Sequence, residues 1–154
     1  TNTNASTSAP DQGNSWDGKY IEEPSYAAPT DWLVTKDDNL WQGESGVNNP
    51  CPLGFRLPTQ DEWTAEQDEF LTGNHNGAFN YSLKLTSGGY RQKDDGAIVF
   101  DNGARGDYWS STVTDDLAPG QRYFAYGIYF ISSTVDDRFN NYRAVGSSVR
   151  CIQD

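Results

Sequence analysis

The sequence predicts an α+β domain of short twisted antiparallel strands with one main helix (about 60–71) and long loops. Three observations lead there. One stretch carries a helix start signal followed by helical patterning. Several aromatic-rich runs of strand length are divided by Gly, Asn and Asp turns. A lone pair of cysteines ties the middle of the chain to its end.

The chain has 154 residues, enough for one domain with its own core, and a formal net charge of −11. That charge makes nucleic acid and anionic membrane surfaces poor partners, because no basic patch exists to displace counterions. Fourteen per cent of residues are aromatic, with five Trp, nine Tyr and no Met. Such rigid, amphipathic rings serve both cores and ligand surfaces. Cys51 and Cys151 are the only cysteines and His75 the only histidine, so no zinc site is spelled out. The cysteines read as a disulfide formed in an oxidising compartment, closing a loop worth up to ~4.7 kcal/mol. No secretory leader or membrane span is visible, which reads as a mature chain or a piece of a larger secreted protein.

Residues 1–15 hold nothing apolar to bury and read as a linker or loose arm, leaving residues 16–154 as the domain. Tyr20, Tyr26 and Trp32 are separated by Pro24 and Pro29, which favours extended segments and turns. A short strand is expected at Asp31–Thr35. A loop from Gly43 to Gly54 presents Cys51 between Pro50 and Pro52. Thr59 then N-caps the helix, with Glu62 completing a capping box and Asp61 suiting the helix dipole. The helix is expected to bury Trp63, Phe70 and Leu71 and to stop before Gly73–Asn74. Strand-like pieces follow at Tyr81–Leu85, Gly89–Arg91 and Ala97–Phe100, the last two joined by an Asp94–Asp95–Gly96 turn. Further strands are expected at Tyr108–Thr112, Arg122–Ser132 and Ser147–Ile152. Between Thr114 and Arg143 the chain is rich in Asp, Asn, Tyr and Arg. It reads as a polar, aromatic-studded region held out from the apolar strands for binding.

Several of these motifs are recognisable together. Cys51-Pro52-Leu53-Gly54-Phe55-Arg56-Leu57-Pro58-Thr59 with Glu62-Trp63 resembles the signature of the Fibrobacter succinogenes major paralogous domain. Gly89-Tyr90-Arg91, Tyr108-Trp109-Ser110-Ser111-Thr112 and Gly146-Ser147-Ser148-Val149-Arg150-Cys151 resemble its later landmarks, in order. The resemblance spans roughly Leu40 to Ile152 and implies a C-type-lectin-like fold in a bacterial secreted or surface protein, with a disulfide from beside the helix to the last strand. The last third is also similar to the variable region of diversity-generating retroelement proteins. Similar domains occur in calcium-dependent RTX adhesins, some binding the C-terminal carboxylate of a peptide through Ca²⁺.

Calcium is therefore the expected cofactor. Its ligands would be oxygens of Asp101, Asn102, Asp107, Asp115 and Asp116, which flank the Trp109 strand at both ends. The expected ligand surface is Tyr126, Tyr129, Asp136, Asp137, Arg138, Asn140, Asn141, Tyr142 and Arg143, where the resemblance places variable contacts. Tyr offers a stacking face with a hydroxyl, and Arg a fork for a carboxylate. Arg56, Arg91 and Arg150 read as structural. No catalysis is expected: Ser110 and Ser111 have no base near them in sequence, and no carboxylate pair stands out. The formylglycine-generating enzymes, of related fold, need a cysteine pair for copper, and here both cysteines belong to the bridge. The expected function is calcium-dependent adhesion within a larger multidomain adhesin. The partner would be a peptide on a host or neighbouring cell surface, possession of a free C-terminus being its handle. The alternatives are a glycan-binding module and a non-binding spacer.

Overall fold

The computed structural model describes residues 20, 31–33, 37–115 and 123–153, with no side-chain description for Asp115. The expected arm at 1–15, Tyr26, Asp116 and Arg122 lie outside them. Thr59 starts helix α1, Gln60–Asp68. The Glu62 N–H donates to the Thr59 hydroxyl (3.3 Å) while the Thr59 N–H donates to the Glu62 carboxylate (2.7 Å), so the capping box closes in both directions. Strand β1, Phe55–Arg56, delivers Arg56 to that same carboxylate, donating to each oxygen at 2.8 Å. β1 pairs antiparallel with a C-terminal strand at Ile152–Gln153. Directly beside this pairing the Cys51–Cys151 disulfide forms, its Cα atoms 5.7 Å apart across a sequence separation of 100.

The main sheet holds three strands, β4 (Gly106–Asp115), β5 (Tyr123–Phe130) and β6 (Val135–Tyr142), antiparallel in the order β4-β5-β6. Side chains alternate across it, so neighbours on β4 serve different cores. Tyr108 joins Ile128 and Phe130 under α1 and a second helix, α2 (His75–Asn80), against Trp63, Ala78 and Leu85. Trp109 points the other way, where it packs with Ala125, Leu57 and Val145. The buried Trp63 indole donates to the Trp109 carbonyl at 3.2 Å and so pins helix to sheet. Burying a ring of that size contributes on the order of 3–5 kcal/mol. Strands β2 (Tyr90–Arg91) and β3 (Ile98–Val99) form a hairpin around the expected Asp94–Asp95–Gly96 turn. The terminal strand, Ile152–Gln153, is β7. Gly89 turns into the hairpin at φ +68°, where a Cβ would stand 2.1 Å from the Val99 carbonyl oxygen.

These elements overturn the expected α+β class with its main helix. The described residues are mostly β: three small antiparallel sheets, with helices of only nine and six residues. α1 ends at Asp68, with Glu69 as its C-cap, so the expected run to Leu71 is too long. Leu71 is 89% exposed rather than buried, and Phe70 is half-buried. The Asn74 side chain accepts from the Asn76 and Gly77 N–H groups and caps α2, where a loop was expected. Tyr81–Leu85 is turn rather than strand, and Lys84 takes φ +51°. The polar region after Thr114 contains strand β6, an edge strand, whose Asp, Asn and Arg residues suit a sheet border facing water.

The capping site yields a pH prediction. Hydrogen bonding by Arg56, aided by Thr59, holds the Glu62 carboxyl down to about 2 from an ordinary 4.5. A lowered carboxyl stabilises the fold at pH above its unfolded value and loses that contribution as pH falls from about 4.5 toward about 2. Glu62 is partly exposed, so screening limits the effect. Glu62→Gln is expected to lose about 1 kcal/mol at pH 7. Urea unfolding from pH 7 to 2 should show the gap to the parent closing below pH 4.5.

Candidate functional site

Of the expected calcium ligands, Asp107 and Asp115 do not meet, and Asp116 lies outside the described residues. Asp107 and Asp115 sit at opposite ends of β4, opposite Tyr129 and Tyr123 of β5. The bulge in β4 shortens that strand, and the six steps from Tyr129 to Tyr123 put them about 20 Å apart, which no single ion spans. Asp101 and Asn102 are exposed in a tight 3₁₀ turn. Asp107 is buried and its carboxylate is committed: Arg105 donates to it twice, at 2.7 and 2.9 Å. The Arg105 guanidinium also lies 4.5 Å from the Tyr90 ring centroid and 5.2 Å from that of Tyr129, with Phe139 at 6.0 Å. Burial alone would lower the Arg105 pKa; the hydrogen bonds and charge of Asp107 outweigh it, and the value is raised. Among the described residues no group of three or more His, Cys, Asp or Glu is placed to hold a metal. One calcium ion cannot take both Asp107 and Asp115 as ligands.

The nine expected contact residues are divided by the sheet. Directly opposed residues share a face. Tyr126 lies opposite Asn140 on the α1 side, whereas Tyr142, opposite Phe124 at the strand end, packs against the Trp109 cluster. The register shifts between Gly127 and Tyr129, leaving both Asp137 and Arg138 across from Ile128. Asp137 accepts a short hydrogen bond from the Thr64 hydroxyl of α1. Tyr129 with Asp136, and Asn141 opposite Ala125, belong to the other side. Tyr129 packs on Phe139 at 4.8 Å, and Tyr142 stacks on Phe124 at 5.0 Å. Arg138 and Asn140 are exposed, and no single surface collects the set.

Arg143 is the most changed from expectation. Its guanidinium is buried, with Nη1 2.7 Å from an Asp38 oxygen and 3.7 Å from an Asp31 oxygen, and Nε donates to the Phe124 carbonyl at 3.1 Å. It fastens the stretches holding Asp31 and Asp38 to the end of β6. Its charge is already answered, so it is no open fork for a ligand carboxylate. Burial pushes the Asp31 carboxyl above its ordinary value, outweighing the Leu33 N–H and the Arg143 charge.

What that fastening creates is a groove on the sheet face away from α1. Trp32 and Trp41 from the docked segment, Trp109 from β4, Tyr20 and Val149 line an opening of about 300 Å³. The Tyr20 hydroxyl donates to the Ala144 carbonyl, closing one wall. A Cβ on Gly146 would come 2.9 Å from the Tyr20 ring and 3.0 Å from the Arg91 side chain. Trp41 adopts φ +64°, a strained conformation for a bulky residue, held by its N–H donating to the Val47 carbonyl at 3.0 Å. A smaller chamber of about 40 Å³ shares Trp32, Trp41, Trp109 and Arg143 with the groove and is also lined by Asp31 and Asp37.

Trp32, Trp41 and Arg105 stand outside the residues that the sequence singles out for binding. The signal for the first two was present: large aromatics between prolines, outside any periodic run, have no core to fill by themselves. No helix among the described residues is long and apolar enough to cross a membrane. No protein-family model, curated protein or solved structure matches the chain.

The Arg105 cluster gives a stability prediction. Arg105→Ala strands a buried carboxylate and is expected to cost about 3–5 kcal/mol. Adding Asp107→Leu to that change should recover most of the loss in urea unfolding, because no charge is then left behind.

Proposed function

We propose that this chain is a non-catalytic ligand-binding domain of a secreted or surface-displayed protein, and that its ligand is a peptide held in the aromatic groove. The groove itself carries this reading: three indoles, a tyrosine and a valine face an opening of about 300 Å³, the scale of a small-ligand or side-chain site. Ala144 and Val145 continue the apolar lining. Few polar groups reach in, whereas a sugar needs partners for many hydroxyls. Apolar and amphipathic peptide side chains meet that surface better. Strain at Trp41 supports a binding role, since strained residues gather at such sites.

The disulfide, which favours an oxidising environment, and the motif resemblance to bacterial surface and adhesin domains support the compartment in this reading. Capture of a free C-terminus by calcium and Arg143 is not part of this reading, because Arg143 is occupied and Asp107 and Asp115 are apart.

The test is a displayed random dodecapeptide library beside a glycan array, run on the parent chain, Trp32→Ala and Val149→Arg. Trp32→Ala removes a wall, and Val149→Arg obstructs the opening. Peptides are expected to enrich on the parent and to weaken at least about tenfold on both variants, as for loss of a buried aromatic contact. Binding of glycans without peptides, or peptide binding indifferent to both variants, would contradict the proposal.

A further inference from the structure

We infer that the groove takes a proline-rich segment of the bound peptide, its rings laid against the indoles and its carbonyls accepting from the indole N–H groups. This rests on the peptide reading above and adds the chemistry of the residues bound. The hydrogen-bonding character of the walls carries it.

Indole is a donor with no acceptor. The indole N–H groups of Trp32, Trp41 and Trp109, all on the groove, have no hydrogen-bond partner among the described residues. Trp109 is only 5% exposed, yet its N–H is not sealed away from solvent. The buried Trp63 is the contrast, since its N–H is taken up by the Trp109 carbonyl. The other polar side chains around the opening lean the same way. Arg143 has donors alone, and the Tyr20 hydroxyl donates to the Ala144 carbonyl. Ser147 brings one further hydroxyl, and among the described residues no carboxylate or side-chain amide lines the groove. The site therefore combines apolar rings and unmet donors with few side-chain acceptors.

The ligand that fits such walls is the converse: apolar, rich in acceptors and poor in donors. An ordinary peptide backbone brings one N–H per residue, and each one buried here without an acceptor costs its desolvation. A proline residue brings a carbonyl and no N–H. Successive prolines also hold the polyproline II conformation, which has no internal hydrogen bonds. Their carbonyls stay available, and little conformational freedom is lost on binding. Aromatic-lined grooves take proline-rich segments in this way. Charge sets the flanks: beside a chain of net charge −11, neutral or basic residues are favoured and acidic ones repelled.

The experiment titrates the parent chain with acetyl-Ser-Pro-Pro-Leu-Pro-Pro-Ser-amide and with the same peptide carrying alanine for every proline. Binding is followed by the indole N–H resonances. The proline peptide should bind about tenfold tighter than the alanine peptide and move the Trp32, Trp41 and Trp109 resonances downfield, as new acceptors do. Trp32→Phe keeps a ring and removes one donor, and should weaken the proline peptide about fivefold, the worth of one neutral hydrogen bond. Val149→Arg, which obstructs the opening, should abolish the response. Glutamate in place of both flanking serines should weaken binding severalfold at about 0.05 M salt. Equal binding of the proline and alanine peptides, binding indifferent to Trp32→Phe, or tighter binding with glutamate flanks overturns the proline inference and leaves the peptide reading standing. No indole response to the proline peptide also overturns it, and the peptide reading falls with it only if the random library yields nothing as well.

Discussion

The buried Arg143 guanidinium is the fastening on which the site depends. It sits at the end of β6, yet its acidic partners, Asp31 and Asp38, come from a segment about a hundred residues earlier. A charge taken out of water needs close partners, and removing one commonly costs about 3–5 kcal/mol. That penalty makes the docking of Asp31 and Asp38 specific, since other seatings would cost Arg143 these partners. Trp32 and Trp41 are carried into position by this ion group, and the disulfide with the β1–β7 pairing closes the chain a short way off.

The sheet between them does two jobs on two faces. Toward α1 it builds the packed core, with Trp63, Tyr108, Ile128 and Phe130. Away from α1 it carries Trp109 and Ala125 under coil rather than helix. Coil covers a sheet less completely than a helix does, and the uncovered part is the groove. Arg105, clasped to Asp107 and flanked by Tyr90 and Tyr129, fixes the neighbouring stretch of that face with an internal cation.

Much of the frame was legible from local chemistry. The capping box at Thr59 and Glu62, the Asp94–Gly96 turn and the cysteine bridge each depend on residues whose roles are nearly independent of context. The class was not: a nine-residue α1 looked like a main helix because Phe70 and Leu71 continued its apolar pattern, although Leu71 faces solvent. β6 was hidden because Val135–Tyr142 is an edge strand, whose polar composition reads as loop. The candidate site was least legible. Period-two geometry splits Tyr126 from Tyr129 whatever their neighbours in sequence, and the partners of Arg143 lie too far along the chain for any local pattern to name.

The central claim is that Arg143 docks the early segment and thereby forms the groove. Native-state hydrogen exchange, comparing the parent with Arg143→Gln, tests it most directly. The account predicts that the amides of Leu33 and Trp41 lose protection in the variant while those of Tyr108, Gly127 and Ile128 in the sheet keep theirs. Unchanged protection at Leu33 and Trp41 would contradict it, and so would a uniform loss across sheet and segment alike.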